Sequence, residues 1–406
     1  MHETTQPLVY LDNNATTRVD PKVVSTMMPY LEHYYGNPSS IHALGAQVGK
    51  SIQRAREQVQ ALIGAEHSSE IVFTSCATEA TTTAILSAIE ATPSRKTIIT
   101  SQVEHPATLD LCMNLERKGY KIVWIGVDKF GAFDFASYLD ALSDDVAIVS
   151  VMWANNETGT LFPIEKIASA AKTVNAQVHI DAVQAVGKIP VDIGCLDVDM
   201  LSLSGHKFHA PKGVGALYLR RGTRFRPLMR GGHQERGRRA GTENAAGIIA
   251  LGAAAEIAAQ SLVDSSSQIA VLRDRLEQGI LATIPNTFVT GSPSYRVPNT
   301  SNIAVEYVEG EALLLLLNQQ GIAASSGSAC TSGSLEPSHV MKAMDIPYTA
   351  AHGTLRFSLS KFTTESDIER VLAVLPAIVE RLRALSPYWD DQTGQPIEDG
   401  FVPAYA

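Results

Sequence analysis

Short apolar runs alternate with helical patterns along most of the chain, and this alternation constrains the fold more than any other feature. Candidate strands at residues 121–127 and 146–154 alternate with candidate helices at 135–142 and 164–174, and a further helix is predicted near 50–63. Such alternation predicts an α/β fold with a mostly parallel sheet covered by helices on both faces. Ligands of these sheets bind beyond the carboxyl ends of the strands. The polar residues that follow each strand are therefore the first candidates for a functional site.

A lysine and an aspartate stand at two of these strand ends. The apolar run at 200–203 is followed closely by Lys207, and the run at 177–180 ends at Asp181. Taken alone, a lysine is usually a solvated surface residue, and an aspartate after a strand is usually a helix N-cap. As a pair on neighbouring strands they suit pyridoxal phosphate (PLP), because the amine can form a Schiff base and the carboxylate can keep the ring nitrogen protonated.

Four more polar residues follow predicted strands. Thr78 opens a helix, where it either helps to cradle a phosphate or simply caps the helix. His105 precedes a proline at a strand-to-helix corner. Its imidazole could stack on a cofactor ring and move protons near neutral pH, although a loop histidine is more often plain polar surface. Asn156 and Gln184 could each donate a hydrogen bond to the phenolic oxygen of the cofactor or to a substrate carboxylate.

The C-terminal part of the chain contributes a cysteine and an arginine. Cys330 lies in a run of very small residues, which favours a mobile, open loop and a reactive thiol over a buried structural cysteine. Arg356 is embedded in an otherwise alternating strand. It suits a bidentate clamp for a carboxylate, but a structural salt bridge is an equally common reason for such an arginine. The change of composition near residue 262 predicts a large domain over 15–261 and a small domain formed by 1–14 and 262–406.

Charge, hydropathy and cysteine usage exclude several classes of protein. The formal net charge of −9 argues against nucleic acid as a partner. No apolar run reaches the roughly 18 residues of a membrane span, and the N-terminus has no signal-peptide pattern. The four cysteines show no metal-type pairing, which fits a reduced cytoplasmic protein with free thiols.

A local basic stretch stands out in this acidic chain. A charge run is usually a solvated face, but a clustered basic one favours an acidic partner or a phosphate. The eight arginines of the stretch are Arg220, Arg221, Arg224, Arg226, Arg230, Arg236, Arg238 and Arg239.

Four motifs give the chain a resemblance to the cysteine desulfurases, the PLP enzymes of the NifS/IscS kind, over nearly its whole length. They are Asp181-Ala-Val-Gln184, Ser204-Gly-His-Lys207, Arg238-Arg-Ala-Gly-Thr-Glu-Asn244 and Ser326-Gly-Ser-Ala-Cys330. The loop of small residues around Cys330 resembles the group of the family whose thiol sits on a flexible segment. Residues 75–79, 231–237 and 350–353 look closest to the NifS branch, which supplies sulfur for nitrogenase cluster assembly.

The resemblance implies a fold and a role for each candidate residue. It implies the type I fold of PLP-dependent transferases, with a large domain around a mostly parallel sheet and a smaller α+β domain. It implies that Lys207 binds the cofactor covalently, that Asp181 pairs with its ring nitrogen, and that His105 stacks on the ring and moves protons. By the same resemblance Gln184 contacts the phenolic oxygen, Asn156 and Arg356 hold the substrate carboxylate, and Ala77, Thr78, Ser204, Gly205 and His206 lie at the cofactor, joined by Thr242 from the second subunit of a homodimer.

The implied reaction uses Cys330 as the nucleophile. L-Cysteine would give L-alanine and a persulfide on Cys330, with an iron–sulfur scaffold protein of the NifU/IscU kind as the sulfur acceptor. The resemblance also makes Cys330 a candidate transient ligand of an iron–sulfur unit. One departure is Cys76, which stands where many housekeeping members carry glycine. The alternatives are a selenocysteine lyase or another PLP lyase or aminotransferase of the same fold, and a sulfur carrier without catalysis of its own.

Overall fold

The computed structural model describes residues 7–326, 337–390 and 392–397. Its α-helices are α1 (Pro21–Met27), α2 (Pro29–Glu32), α3 (Ala43–Ile63), α4 (Ala77–Ala91), α5 (Pro106–Arg117), α6 (Phe135–Ala141), α7 (Ile164–Lys172), α8 (Ala245–Thr283), α9 (Gly310–Gln319), α10 (His339–Ala343), α11 (Tyr348–Ala351) and α12 (Glu365–Arg383). Its β-strands are β1 (Val9–Tyr10), β2 (Ile71–Thr74), β3 (Thr97–Ser101), β4 (Lys121–Ile125), β5 (Val146–Met152), β6 (Gln177–Asp181), β7 (Met200–Ser204), β8 (Gly215–Leu219), β9 (Thr287–Thr290), β10 (Thr300–Val305), β11 (Ile322–Ala323), β12 (Thr354–Ser358), β13 (Trp389–Asp390) and β14 (Gln395–Pro396).

A seven-stranded sheet in the order β2-β8-β7-β6-β5-β3-β4 forms the centre of the fold. Strand β8 is antiparallel to β2 and β7, whereas the pairs from β7 to β4 are parallel. Every residue of β5 is buried, as expected for a strand covered by helices on both faces. The prediction of a mostly parallel sheet in an α/β fold is therefore confirmed.

Helix starts follow their capping residues. Asp20 caps α1 in front of Pro21, and Thr364 forms a capping box at the start of α12. The predicted start of a helix near residue 50 is wrong, because α3 begins at Ala43. Its N-cap is His42, whose Nδ1 accepts a hydrogen bond from the N–H of Gly45 at 3.2 Å, and histidine is not among the usual N-cap residues.

A second apolar core lies around the three-stranded antiparallel sheet β12-β10-β9. Side chains from α9, α12 and the C-terminal half of α8 pack into it, together with Val9 and Leu11 from the N-terminus. Strand β1 pairs in parallel with β11, which ties the N-terminus to this part of the chain. Helix α8 runs unbroken through the predicted boundary at residue 262. The division into 15–261 and 1–14 with 262–406 stays a prediction.

The longest helix, α8, packs inside the protein. One stretch of it is apolar enough, by length and composition, to cross a membrane, but 56% of that stretch is buried within the fold. Helix α8 packs against α3 at Gly252, where a Cβ atom would lie only 2.5 Å from the Cα of Ala55. A buried, apolar helix of this kind is typical of a protein core.

Candidate active site

A cavity of about 410 Å³ opens at the carboxyl ends of β6 and β7. These strands pair in parallel with Asp181 opposite Ser202, so that the end of β6 lies beside the turn that carries Lys207. The position agrees with the general rule for ligand sites in parallel sheets. Ten of the predicted site residues line the cavity: Ala77, Thr78, His105, Asn156, Asp181, Gln184, Ser204, His206, Lys207 and Arg356.

Two predicted residues, Gly205 and Thr242, do not line this cavity, and a third lies outside the described residues. Gly205 begins the short turn that contains Lys207, and a Cβ atom there would come within 2.9 Å of the Cβ of Ala210. Thr242 is exposed and lies in a separate cleft beside Arg239. Cys330 lies outside the described residues, so its predicted roles as nucleophile and as iron–sulfur ligand stay predictions. In residues 7–326, 337–390 and 392–397 no group of three or more His, Cys, Asp or Glu side chains could hold a metal ion.

Lys207 is held by the backbone of the N-terminal segment. Its Nζ donates hydrogen bonds to the carbonyl oxygens of Asn14 at 2.6 Å and Ala15 at 2.9 Å. Both carbonyls follow β1, so the segment after the first strand reaches across to the end of β7. The amine therefore has a fixed position at the edge of the cavity.

Asp181 is a buried carboxylate at the end of β6. Burial raises its pKa to about 6, against the opposing effects of a hydrogen bond from the N–H of Val183 at 3.0 Å and of the charge on Lys207. A buried carboxylate of this kind is stabilised in its ionised form by a cation placed against it. Asp181 is thus suited to a positively charged ring nitrogen.

His105 caps α5 and presents a neutral imidazole to the cavity. Its Nδ1 accepts a hydrogen bond from the N–H of Ala107 at 3.1 Å, so the proton of the neutral ring is on Nε2. Burial and the nearby charge on Lys207 lower the pKa of His105 to about 4. This differs from the expectation of an imidazole that titrates near neutral pH. At pH 7 His105 is a neutral hydrogen-bond donor through Nε2.

Unsatisfied donors also line the cavity, at Ser204 and at the start of α4. The N-cap of α4 is Cys76, whose side chain makes no capping hydrogen bond, and Ala77 and Thr78 follow in the first turn. The Ser204 hydroxyl is buried and has no hydrogen-bond partner among the described residues. A buried hydroxyl and the N-terminus of a 15-residue helix together favour an anion such as a phosphate.

Arg356 is engaged through both of its terminal nitrogens. Its Nη2 forms an ion pair with Asp12 at 2.7 Å, and its Nη1 donates to the carbonyl oxygen of Asn156 at 3.1 Å. The structural salt bridge that the sequence left open is therefore present. Its Nε is buried and has no hydrogen-bond partner in the described part of the chain. Strand β12 is buried at every position, so both its polar and its apolar side chains are covered.

The comparison with known proteins decides the family. The model of the class-V aminotransferase family matches residues 9–371. The chain is 63% identical over 400 residues to "Cysteine desulfurase NifS" of Azotobacter vinelandii. The match covers 98% of this chain and 99% of the relative.

The chain belongs to the NifS cysteine desulfurases.

Solved structures agree with this family. A structure titled "NIFS-LIKE PROTEIN" is 37% identical, with a TM-score of 0.87, and the match covers 92% of this cysteine desulfurase and all of the other chain. A second structure, titled "SspA in complex with cysteine", is 30% identical with a TM-score of 0.76. The match covers 87% of this chain and 99% of the other chain. The resemblance found in the motifs is confirmed.

Three buried residues around the site of this cysteine desulfurase received no role from the sequence. They are Asn14, Glu104 and Lys188, and each contacts residues far away along the chain. The carboxyl group of Glu104 accepts hydrogen bonds from the Ser101 hydroxyl at 2.6 Å and from the N–H of Met152 at 2.9 Å. Burial is the main cause that raises the pKa of Glu104 to about 8, and the charge on Asp181 contributes.

This raised pKa predicts a pH-dependent stability difference for Glu104→Gln. The unfolded carboxyl loses its proton near pH 4.5 and the folded one near pH 8, so the folded state holds more protons between these values. The contribution of Glu104 to stability is therefore full below pH 4.5 and falls by about 1.4 kcal/mol per pH unit as pH rises toward 8. We expect Glu104→Gln to gain stability relative to the unmodified protein across this range, measured by urea unfolding at pH 5 and pH 8.

The matched control is Glu79→Gln, because Glu79 is ion-paired with Arg239 at 2.9 Å and its pKa is lowered. Because folding lowers the pKa of Glu79, its ionised carboxylate stabilises the folded protein at every pH above the unfolded pKa near 4.5. This contribution to stability is lost only at lower pH. The effect of Glu79→Gln should therefore be nearly constant from pH 5 to pH 8. A stability difference for Glu104→Gln that is equally constant would contradict the assignment of a neutral carboxyl.

Proposed function

We propose that the chain removes sulfur from L-cysteine with the help of PLP, giving L-alanine and a persulfide on Cys330. The observation that carries the proposal is the 63% identity to a NifS cysteine desulfurase over nearly the full length. The placement of Lys207, Asp181 and His105 around one cavity supports it. The persulfide sulfur would serve iron–sulfur cluster assembly, and in this branch the assembly of nitrogenase clusters.

The residues that line the cavity fit PLP. The buried Ser204 hydroxyl and the uncapped start of α4 suit its phosphate, and Asp181 suits its ring nitrogen. Lys207 would hold it covalently, and His105 would stack on its ring. When bound, PLP supplies an electron sink for the charge that develops at the Cα of the substrate.

Arg356 and Asn156 would hold the substrate carboxylate. The ion pair with Asp12 fixes the guanidinium group, and the unpartnered Nε is left to donate to a second carboxylate. Asn156 lies beside it and lines the same cavity. This arrangement would place the substrate amine and Cα toward Lys207.

The sulfur transfer balances without an external oxidant. The Cys330 thiolate attacks the substrate sulfur, the S–S bond forms, and the Cβ–Sγ bond breaks with its electron pair left on carbon. Protonation of that carbon gives the methyl group of alanine, so carbon is reduced as sulfur is oxidised to the persulfide level. A thiol with an ordinary pKa near about 8.5 needs a base or a positive neighbour to become the thiolate.

The protein would act as a homodimer in the cytoplasm. Thr242 lies outside the cavity of its own chain and on an exposed surface, which suits the proposal that it reaches the phosphate of the second subunit. The burial of α8 within the fold supports a protein that does not enter a membrane.

An assay of L-alanine and sulfide tests the proposal. The purified, PLP-loaded protein is incubated with L-cysteine and a thiol reductant, and both products are counted. We expect equal amounts of the two. Absence of alanine with the cofactor bound would overturn the proposal, and turnover of L-selenocysteine alone would favour the lyase alternative.

The basic stretch is proposed to bind an acidic iron–sulfur scaffold protein. Arg221, Arg224 and Arg226 are exposed, whereas Arg220 and Arg239 are engaged inside the fold by carbonyl oxygens and by Glu79. We expect charge reversal of Arg221, Arg224 and Arg226 to weaken scaffold binding about tenfold or more at low salt and to reduce its salt dependence.

Charge reversal of Arg117, Lys118 and Lys121 is the matched control, because these residues are equally exposed but lie outside the basic stretch. Binding affinity is measured by calorimetry at two salt concentrations. Equal losses in the two triple variants would show that only net charge matters and would remove the docking role.

A further inference from the structure

A lysine that the proposed mechanism does not use is buried behind the cavity. Lys188 is 8% exposed, and its Nζ donates to the Oδ1 of Asn14 at 2.8 Å and to the Oε1 of Gln184. In the part of the chain that the structure describes, no carboxylate lies within ion-pair distance of it. A buried amine whose acceptors are all neutral amides is unusual, because burying a charge without an opposite charge is costly.

The orientation of both amides follows from their other contacts. The Nε2 of Gln184 faces the backbone carbonyl of Asn14 at 3.0 Å, and the Nδ2 of Asn14 faces the carbonyl of Asn156 at 3.1 Å. A carbonyl oxygen can only accept, so both amide nitrogens must lie on those sides. Both amide oxygens therefore face Lys188, which has to donate to each.

A neutral amine is sufficient for these two hydrogen bonds. Burial, together with the positive charges of Lys207 and Arg356, holds the pKa of Lys188 well below its ordinary range. A neutral amine keeps two N–H donors, and two amide oxygens require two. The contacts and the surrounding charges thus both favour an uncharged Lys188, which donates two hydrogen bonds and adds no second positive charge beside Lys207.

Lys188 is linked to the reactive centre through the two amides. The carbonyl oxygen of Asn14 accepts from the Nζ of Lys207 at 2.6 Å as well as from Gln184. The Oδ1 of Asn14 also accepts from Asn299 at 3.0 Å. Gln184 lines the cavity, whereas Lys188 lies on the far side of it, in a smaller cavity beside Lys361.

We propose that Lys188 is a positioning residue that holds the carboxamide of Gln184 with its N–H side toward the cofactor and holds Asn14 against Lys207. The inference rests on the proposed function, because it concerns the hydrogen bond from Gln184 to the phenolic oxygen of PLP. Without Lys188 the Oε1 of Gln184 would be buried without a donor, and the carboxamide would shift away from its present position to find one while its Nε2 stays toward the carbonyl oxygen of Asn14. The N–H group would then leave the phenolic oxygen.

The test is the visible titration of the bound cofactor in Lys188→Met, Gln184→Ala and the double variant. Loss of one hydrogen bond to the phenolic oxygen is expected to shift the pH midpoint of the absorption band by roughly 0.5–1 unit in Lys188→Met. In the Gln184→Ala background the same lysine substitution should produce little further shift, because the two residues act as one unit. Lys361→Met is the matched control, since Lys361 borders the same small cavity but pairs with Asp20.

Two outcomes would overturn the inference. One is an unchanged titration in folded Lys188→Met, and the other is a shift of equal size with and without Gln184. Lys188→Gln covers the case in which the methionine variant does not fold. The side chain of glutamine is one bond shorter than that of lysine, so its N–H group should no longer reach Oε1 of Gln184, and the midpoint should move in the same direction as in Lys188→Met. An unmoved midpoint would again contradict the role. If the unmodified protein never binds PLP, the proposed function fails instead.

Discussion

Lys207→Ala is expected to lower the rate of alanine formation by about 10³–10⁴-fold or more, and no multiple turnovers should be seen. Two effects combine in this loss. The amine at the edge of the cavity is the group that would hold PLP covalently, and it is also the amine nearest to the substrate Cα in the proposed arrangement. Borohydride reduction of the PLP-loaded protein should fix the cofactor in the unmodified chain and fail to do so in the variant.

Lys172→Ala is the matched control for this substitution. Lys172 pairs with Asp199 outside the cavity, so its loss removes a lysine and an ion pair without touching the site. Activity should stay near that of the unmodified protein. Sustained turnover in Lys207→Ala would contradict the assignment of Lys207, provided that the thermal unfolding midpoint shows a folded protein.

Cys330→Ala is expected to keep the visible colour of bound PLP and to change that spectrum when L-cysteine is added, yet to release no sulfide above background. The variant retains the cavity residues that bind cofactor and substrate and lacks only the proposed sulfur acceptor. Binding and transfer are therefore separated by a single substitution. Sulfide release is measured with the amount of bound PLP held equal in variant and parent.

The other cysteines provide the controls for Cys330→Ala. Cys195 is exposed on a short turn, and Cys112 is buried with its pKa raised to about 12, so neither is placed to accept sulfur from the cavity. Cys76 lines the cavity and is the sharper control. We expect Cys76→Ala and Cys195→Ala to retain sulfide release. Full activity in Cys330→Ala, or its loss in Cys76→Ala alone, would move the nucleophile to another residue.

The part of the fold that could be predicted from the sequence is the part with local signals. The apolar run at 146–154 predicts a buried central strand, and β5 is such a strand. The polar residues that follow these strands line one cavity, because parallel strands have their carboxyl ends at the same edge of the sheet. Asp181 and Lys207 were found in this way. The start of α3 was missed because its cap, His42, carries no usual N-cap signal.

The contacts that complete the site join distant parts of the chain. Asn14 donates to Thr300 across 286 positions, and Arg356 pairs with Asp12 across 344. No spacing or periodicity predicts such contacts, because they depend on how β1, β10 and β12 are brought together. The same holds for Lys188, whose burial and lowered pKa arise from neighbours on three separate segments.

The central claim is that sulfur leaves L-cysteine for Cys330, and a single-turnover experiment tests it most directly. The PLP-loaded protein is mixed with less than one equivalent of L-cysteine in the absence of reductant and acceptor. Alanine is then quantified, and the mass of the peptide that contains Cys330 is determined by mass spectrometry. We predict one additional sulfur atom on Cys330 for each alanine formed. Alanine formed with no added sulfur on Cys330, or with the sulfur on Cys76, would contradict the account.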